Sequence, residues 1–165
     1  MQHGATITIR PLRPGDGAFL CSIFKDNADY YNIFYDSETS VYAWEQRVLR
    51  FIQQKQICHR IIEADNSAIG WLSFSDLSQT ERELDILVLK KDQLGQGYGA
   101  STLSWFLKLC KDDHINSVFL NVNQANIRAL RFYQAFGFRI LAEEIVPQCN
   151  DAQNLAQYRM GLQFL

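Results

Sequence analysis

The chain has 165 residues, enough for one sizeable core and too few for two comfortable domains. A hydrophobic content of 47% and an aromatic content of 13% describe a well-filled interior. The formal net charge of −2 argues against a nucleic-acid or anionic-membrane partner, which would want a basic face.

Ala5–Arg10 alternates apolar and polar residues and predicts a half-buried strand. Pro11, Pro14 and Gly15 break it, and Asp16 is placed to cap a helix running to about Lys25. Residues 27–39 are irregular and polar, with Tyr30, Tyr31, Phe34 and Tyr35 among them. Ser40 then caps a helix over Val41–Gln54, and strands follow at Ile57–Ala64 and Ala68–Phe74. Asp65-Asn66-Ser67 suits the tight turn of a hairpin.

Glu83–Leu89 is the next strand, and a glycine-rich turn, Leu94-Gly95-Gln96-Gly97-Tyr98-Gly99-Ala100, opens a helix to about Lys111. Its apolar residues Leu103, Phe106, Leu107 and Cys110 recur at helical spacing. A strand over Ile115–Val122, a helix over Asn126–Phe136 stopped by Gly137, and strands at Phe138–Val146 and Ala156–Phe164 complete the order. There is no linker or repeat, so a single domain over residues 1–165, with its core from residue 5, is expected.

Cys21, Cys58, Cys110 and Cys149 form no CxxC pair, and His3, His59 and His114 have no metal-ligand spacing. No metal site is expected. Free thiols, the lack of a signal-peptide pattern and the lack of a membrane-length apolar run lead to the expectation of a cytoplasmic protein.

The glycine turn carries the chemistry. Glycines at alternate positions let the backbone turn sharply and approach a ligand, and a helix N-terminus presents unpaired N–H groups and positive dipole to an anion. A Walker A loop is excluded, since no Gly-Lys-Ser/Thr follows. Gly95-x-Gly97-x-x-Ala100 meets the dinucleotide fingerprint formally, but most of the chain precedes it. The acidic residue due about twenty positions on is missing, with only Asn121 offered there. An ordinary strand-to-helix turn rich in glycine is the plain alternative.

One strand and one helix later stands Asn126-x-x-Ala129-x-x-Phe132-Tyr133-x-x-x-Gly137-Phe138. With the glycine turn, this motif resembles the GNAT family of N-acetyltransferases. The resemblance implies an α/β fold: a central mixed, mostly antiparallel, twisted sheet of about six or seven strands, flanked by about four helices and splayed in the middle to hold CoA. It implies an acyltransferase that moves an acetyl group from acetyl-CoA directly to a primary amine. Leu87, Val88 and Leu89 then supply main-chain contacts to the pantetheine arm, with an N–H near Leu87 polarising the thioester carbonyl. Gln96, Gly97, Tyr98, Gly99 and Ala100 hold the pyrophosphate, Leu94 and Gly95 border the cofactor before them, and Asn126, Ala129 and Tyr133 add contacts from the later helix. Leu94 stands where the family has Arg or Gln, which leaves the backbone to carry that contact unless Gln93 or Gln96 substitutes. A shorter similarity, in Asp85 and Gln93-Leu94-Gly95, points to the aminoglycoside 6′-N-acetyltransferase branch.

Alternation places Glu83, Asp85, Leu87 and Leu89 on one strand face, opposite Leu84, Ile86 and Val88. Asp85 is the candidate base, with Glu83 behind it. Proton transfer from an alkylammonium to an ordinary carboxylate is uphill by roughly 9 kcal/mol, which favours binding and orienting the amine, or relaying its proton through water. The plainer reading pairs Asp85 with Arg82 or a lysine. Tyr133 is the candidate acid; a phenol is a weaker acid than a thiol by about 2 kcal/mol, so a hydrogen bond to the departing thiolate is the sounder description. Tyr133 also fits a simple core stripe, and Asn126 fits a helix cap, a cofactor contact or both.

Tyr31, Tyr35 and Asp36 suit a substrate-facing loop for a cationic amine, or equally a loop pinned to the core. The expected partner is a small-molecule amine such as an aminoglycoside or polyamine, with no nucleic acid and no membrane, in a monomer or homodimer. A protein N-terminus or lysine is the alternative acceptor. A CoA-binding module without catalysis is the alternative function, motivated by Leu94, and a nucleotide-binding oxidoreductase is the remote one.

Overall fold

Each expected strand and helix is present in a computed structural model that describes residues 5–27, 40–147 and 154–165. In chain order they are β1 (Thr8–Pro11), α1 (Gly17–Asp26), α2 (Val41–Gln53), β2 (Ile57–Ala64), β3 (Ser67–Asp76), β4 (Glu81–Leu89), α3 (Tyr98–Asp112), β5 (Ser117–Asn123), α4 (Ile127–Ala135), β6 (Arg139–Val146) and β7 (Leu155–Gln163). A short 3₁₀ turn over Lys91–Gln93 was not anticipated. The strands hydrogen-bond in the order β1-β2-β3-β4-β5-β7-β6, with β4 and β5 parallel and β1–β2, β2–β3, β5–β7 and β6–β7 antiparallel. This is the mixed, mostly antiparallel α/β architecture expected. The chain forms two compact units, Met1–Ser75 with Asp85–Leu109, and Asp76–Leu84 with Cys110–Leu165.

In the first unit, α1 and α2 bury Leu20, Cys21, Ile23, Phe24, Trp44 and Val48 against Ile61, Trp71 and Val88 of the strands. The Trp44 ring meets Trp71 edge-on at 6.0 Å and Phe24 at 5.3 Å. Ser40 caps α2 as expected, its hydroxyl accepting from the Ala43 N–H at 3.1 Å. Asp16 takes the cap position of α1 but does not cap with its side chain. Its carboxylate accepts instead from both terminal nitrogens of Arg10, each at 2.8 Å, and from the Arg13 N–H at 2.9 Å. Burial raises the Asp16 pKa, but these donors outweigh it and hold the carboxyl below its ordinary value. Glu45 of α2 serves the start of α1 instead, accepting from the Gly15 N–H at 2.7 Å and the Gly17 N–H at 2.9 Å.

The hairpin between β2 and β3 turns through Asp65 (φ 50°) and Asn66 (φ 62°), closing on the Ala64–Ser67 pair. Two successive positive φ values match the twist of the flanking strands, and Asn and Asp tolerate them. Next along β2, His59 is buried, stacks on Phe51 at 4.1 Å and accepts from the Trp71 indole N–H at 3.3 Å. Burial, helped by the Arg60 charge, lowers its pKa from the ordinary 6.5 to about 4. The unfolded chain therefore takes up this proton first, so the stability is complete above pH 6.5 and is lost as pH falls towards 4. Urea melts should show a loss of about 2–3 kcal/mol from this group between roughly pH 7 and 4.5. His59→Phe is expected to remove that part of the slope; an unaltered slope in the variant would assign it elsewhere.

In the second unit, Leu84, Ile115, Val118, Leu120, Val122, Tyr133, Phe138 and Met160 are buried. Helix α4 ends in a Schellman motif: the Gly137 N–H donates to Gln134 and the Phe138 N–H to Tyr133, at 3.0 and 3.1 Å, with Gly137 at φ 95°. The Tyr133 and Phe138 rings then meet at 5.7 Å. Arg82 is buried and engages Asp76 at 2.6 Å and Asp113 at 2.9 Å. Among the described residues, no helix is long and apolar enough to cross a membrane.

Candidate active site

The glycine turn lies in the first unit and continues directly from β4. Along β4, Leu84 and Val88 are buried while Asp85 is exposed, as the alternation expects. Leu89 departs from it and is also buried. The cause is Gly70 on β3, where a Cβ would lie 2.6 Å from both the Leu89 side chain and the Val88 carbonyl. Only glycine leaves room there. The Lys90 N–H then donates to the Ile69 carbonyl at 2.8 Å, and the chain enters the 3₁₀ turn.

In the turn, Gln93 and Leu94 N–H groups donate back to Lys90 and Lys91 at 2.9 and 3.4 Å. Gly95 and Gly97 have φ of 77° and 86°, a region that side chains disfavour. A Cβ at Gly95 would meet nothing within 4 Å, so the demand for glycine there is conformational rather than steric. Helix α3 opens with the Ser101 N–H bonded to the Gly97 carbonyl at 3.0 Å. The N–H groups of Tyr98, Gly99 and Ala100 precede that first helical donor and have no intrahelical acceptor. Residues 94–97 are exposed, so these donors form a cradle suited to an anion. Leu94 is itself 39% exposed, and the Gln96 amide is turned back onto the Asp92 carbonyl at 3.0 Å.

Asp85 stands on β4 upstream of this turn, with the Ser75 hydroxyl 3.5 Å from its Oδ1. Leu87, Val88 and Leu89 follow it on the same strand. In the second unit, Asn126 caps α4, its Oδ1 accepting from the Ala129 N–H at 3.1 Å. Tyr133 on the same helix is buried among Phe132 and Phe138, and burial raises its phenol pKa well above the ordinary range. Such a phenol keeps its proton. The Glu83 carboxylate is taken by Arg159 and Asn121. Tyr31, Tyr35 and Asp36 lie outside the described residues.

Residues 20–138 match the acetyltransferase (GNAT) family, a span that includes both the glycine turn and the Asn126–Tyr133 helix. The chain belongs to the GNAT family. As a GNAT acetyltransferase it is an acyltransferase, and solved structures agree on its fold. Spermidine N-acetyltransferase from Vibrio cholerae, in complex with CoA and spermine, aligns over 95% of both chains with a TM-score of 0.80 at 17% identity. Ard1 from Thermoplasma volcanium aligns over 96% of this chain and 98% of its own, with a TM-score of 0.74 at 24% identity. The yncA protein of Salmonella typhimurium, with its cofactor acetyl-CoA, aligns over 95% and 93% with a TM-score of 0.74 at 17% identity. No curated protein matches the GNAT chain by sequence.

Two features of this acetyltransferase escaped the sequence. His59 is a core residue held by Trp71 and Phe51, a role for which its place beside Ile61 in the alternation of β2 was the one available signal. Glu83 is bound by Arg159, 76 residues away, and no local pattern announces that pair.

Proposed function

We propose that this GNAT acetyltransferase transfers the acetyl group of acetyl-CoA directly to a primary amine of a small cationic molecule, an aminoglycoside or a polyamine, in one cytoplasmic domain over residues 1–165. The carrying observation is the strand–turn–helix of β4 and α3, with Gly95 and Gly97 in the left-handed region of an exposed turn that runs directly into the N-terminus of α3. Acetyl-CoA is anionic at its pyrophosphate, and the Tyr98, Gly99 and Ala100 N–H groups with the helix dipole suit that charge. Leu87–Leu89 would meet the pantetheine arm through the backbone, and Asn126 and Ala129 would border the cofactor from α4. A spermidine N-acetyltransferase with the same fold, solved with spermine, supports a cationic acceptor.

In this reading the amine nitrogen attacks the thioester carbonyl, the carbon–sulfur bond breaks, and the sulfur leaves as thiolate. Asp85 holds the ammonium and accepts its proton through water. Tyr133 donates a hydrogen bond to the leaving sulfur. Tyr133→Phe is expected to lower kcat by about 10- to 100-fold with acetyl-CoA affinity retained; turnover equal to wild type would take Tyr133 out of the mechanism.

The test of the activity is release of free CoA thiol from acetyl-CoA over a panel of aminoglycosides, polyamines and peptides with free N-termini or lysines. Turnover confined to the small cations supports the proposal, and turnover confined to peptides moves the acceptor to protein. Acetyl-CoA binding without thiol release on any amine favours the non-catalytic module that the exposed Leu94 suggests.

A further inference from the structure

Glu83 is the last residue of β4 in register with β5, where it stands opposite Phe119. At that rung the side chains of neighbouring strands are tied together. Arg159 of β7 donates through Nη1 to Glu83 Oε1 and, at 3.3 Å, to Asn121 Oδ1. The Asn121 amide reaches the same carboxylate oxygen at 3.5 Å, and the guanidinium lies 5.2 Å over the Phe119 ring. Arg159 is the register partner of Asn121 in the β5–β7 ladder. The ion-paired side chains are only 22% and 21% exposed, so water screens them less than a surface pair.

The placement is specific. The β4–β5 ladder holds only Glu81–Glu83 against Ser117–Phe119. From there β5 stays with β7 as far as the Asn123–Gln157 pair, while β4 continues through Asp85 to Leu89. Parallel rungs are evenly spaced and alike, so a side-chain tie at one rung favours that register over its neighbours. A carboxylate, a guanidinium and an amide joined across β4, β5 and β7 supply such a tie at the Glu83 rung.

We propose that Glu83, Arg159 and Asn121 form a clasp that fixes the last shared rung, and so sets which residues of β4 are presented to the thioester substrate. The inference rests on the acetyl-CoA reading above. The three are positioning residues: they act through the backbone of β4 and make no contact with the reacting atoms.

Calorimetric titration with acetyl-CoA, steady-state kinetics and thermal melts of Glu83→Gln, Arg159→Met and the double variant test the clasp. Each single variant is expected to raise the Kd and KM for acetyl-CoA by about tenfold, an effect larger than that on kcat. The double variant should be no worse than either single one, since the pair acts as a unit. Arg159→Lys, which keeps the charge, should recover part of the affinity. A mere stability role would lower the melting temperature and leave the Kd of folded protein unchanged, and that result overturns the clasp. So do losses that multiply in the double variant. If Arg159→Met does not fold, Glu83→Gln and Asn121→Ala carry the same comparison. Wild-type protein that fails to bind acetyl-CoA removes the underlying reading, and the clasp with it.

Discussion

Asp85→Asn is expected to lower kcat/KM for the amine by about 100- to 1,000-fold at neutral pH, with acetyl-CoA affinity within about twofold of wild type. The replacement keeps the size of the side chain and removes its charge. An acceptor amine is almost wholly protonated at neutral pH, so it needs a group that attracts the cation and then relieves it of a proton. Asp85 is the exposed carboxylate on β4 between the buried Leu84 and the run to Leu89, and Ser75 touches it at 3.5 Å. The variant should recover as pH rises towards about 10, where the free amine supplies itself. That recovery separates a chemical role from a structural one. Full turnover at neutral pH, or a loss with no recovery in base, would rule out the assignment.

Gly97→Val is expected to weaken acetyl-CoA binding by on the order of 100-fold, with a much smaller change in thermal stability. A β-branched residue at φ 86° is strained whatever room surrounds it. The turn is exposed, and the nearest atom a Cβ at Gly97 would meet is the Ala5 Cβ at 3.9 Å. The free protein can therefore relax the strain by remodelling the turn. In the proposed site bound acetyl-CoA would not allow this, because its pyrophosphate would need the N–H groups of Tyr98, Gly99 and Ala100 in place. The strain thus appears as lost affinity, measurable by titration calorimetry beside a thermal melt. Wild-type affinity in the valine variant would show that the cradle is not the seat.

The contrast between Asp16 and Glu45 marks how far the sequence could be read. A short polar residue before an apolar helix predicts a cap, and Asp16 does occupy that position. Which carboxylate serves the N–H groups is another matter. Arg10, on β1, claims Asp16, and Glu45 arrives from α2 to replace it. Ser40 and Asn126 do cap their helices with their side chains. Leu89 repeats the lesson in the strand: its alternation was legible, but its burial depends on the missing side chain of Gly70 across the ladder.

The glycine turn that dominated the sequence stays central, because its requirements are local. A left-handed φ at Gly95 and Gly97, a helix start and a strand before it are written in adjacent residues, and so is the hairpin at Asp65 and Asn66. Family, element order and the anion cradle follow from such short-range rules. Partner choice among charges does not. Glu83 and Arg159 are 76 residues apart, Arg82 and Asp113 are 31 apart, and Arg10 and Glu63 are 53 apart. Each pair exists because strand register or helix packing brings two distant segments within reach, and Coulomb attraction then selects among whichever charges have arrived. For that reason the glycine turn could be recognised before any coordinates, and the Glu83–Arg159 clasp could be found only in the folded chain.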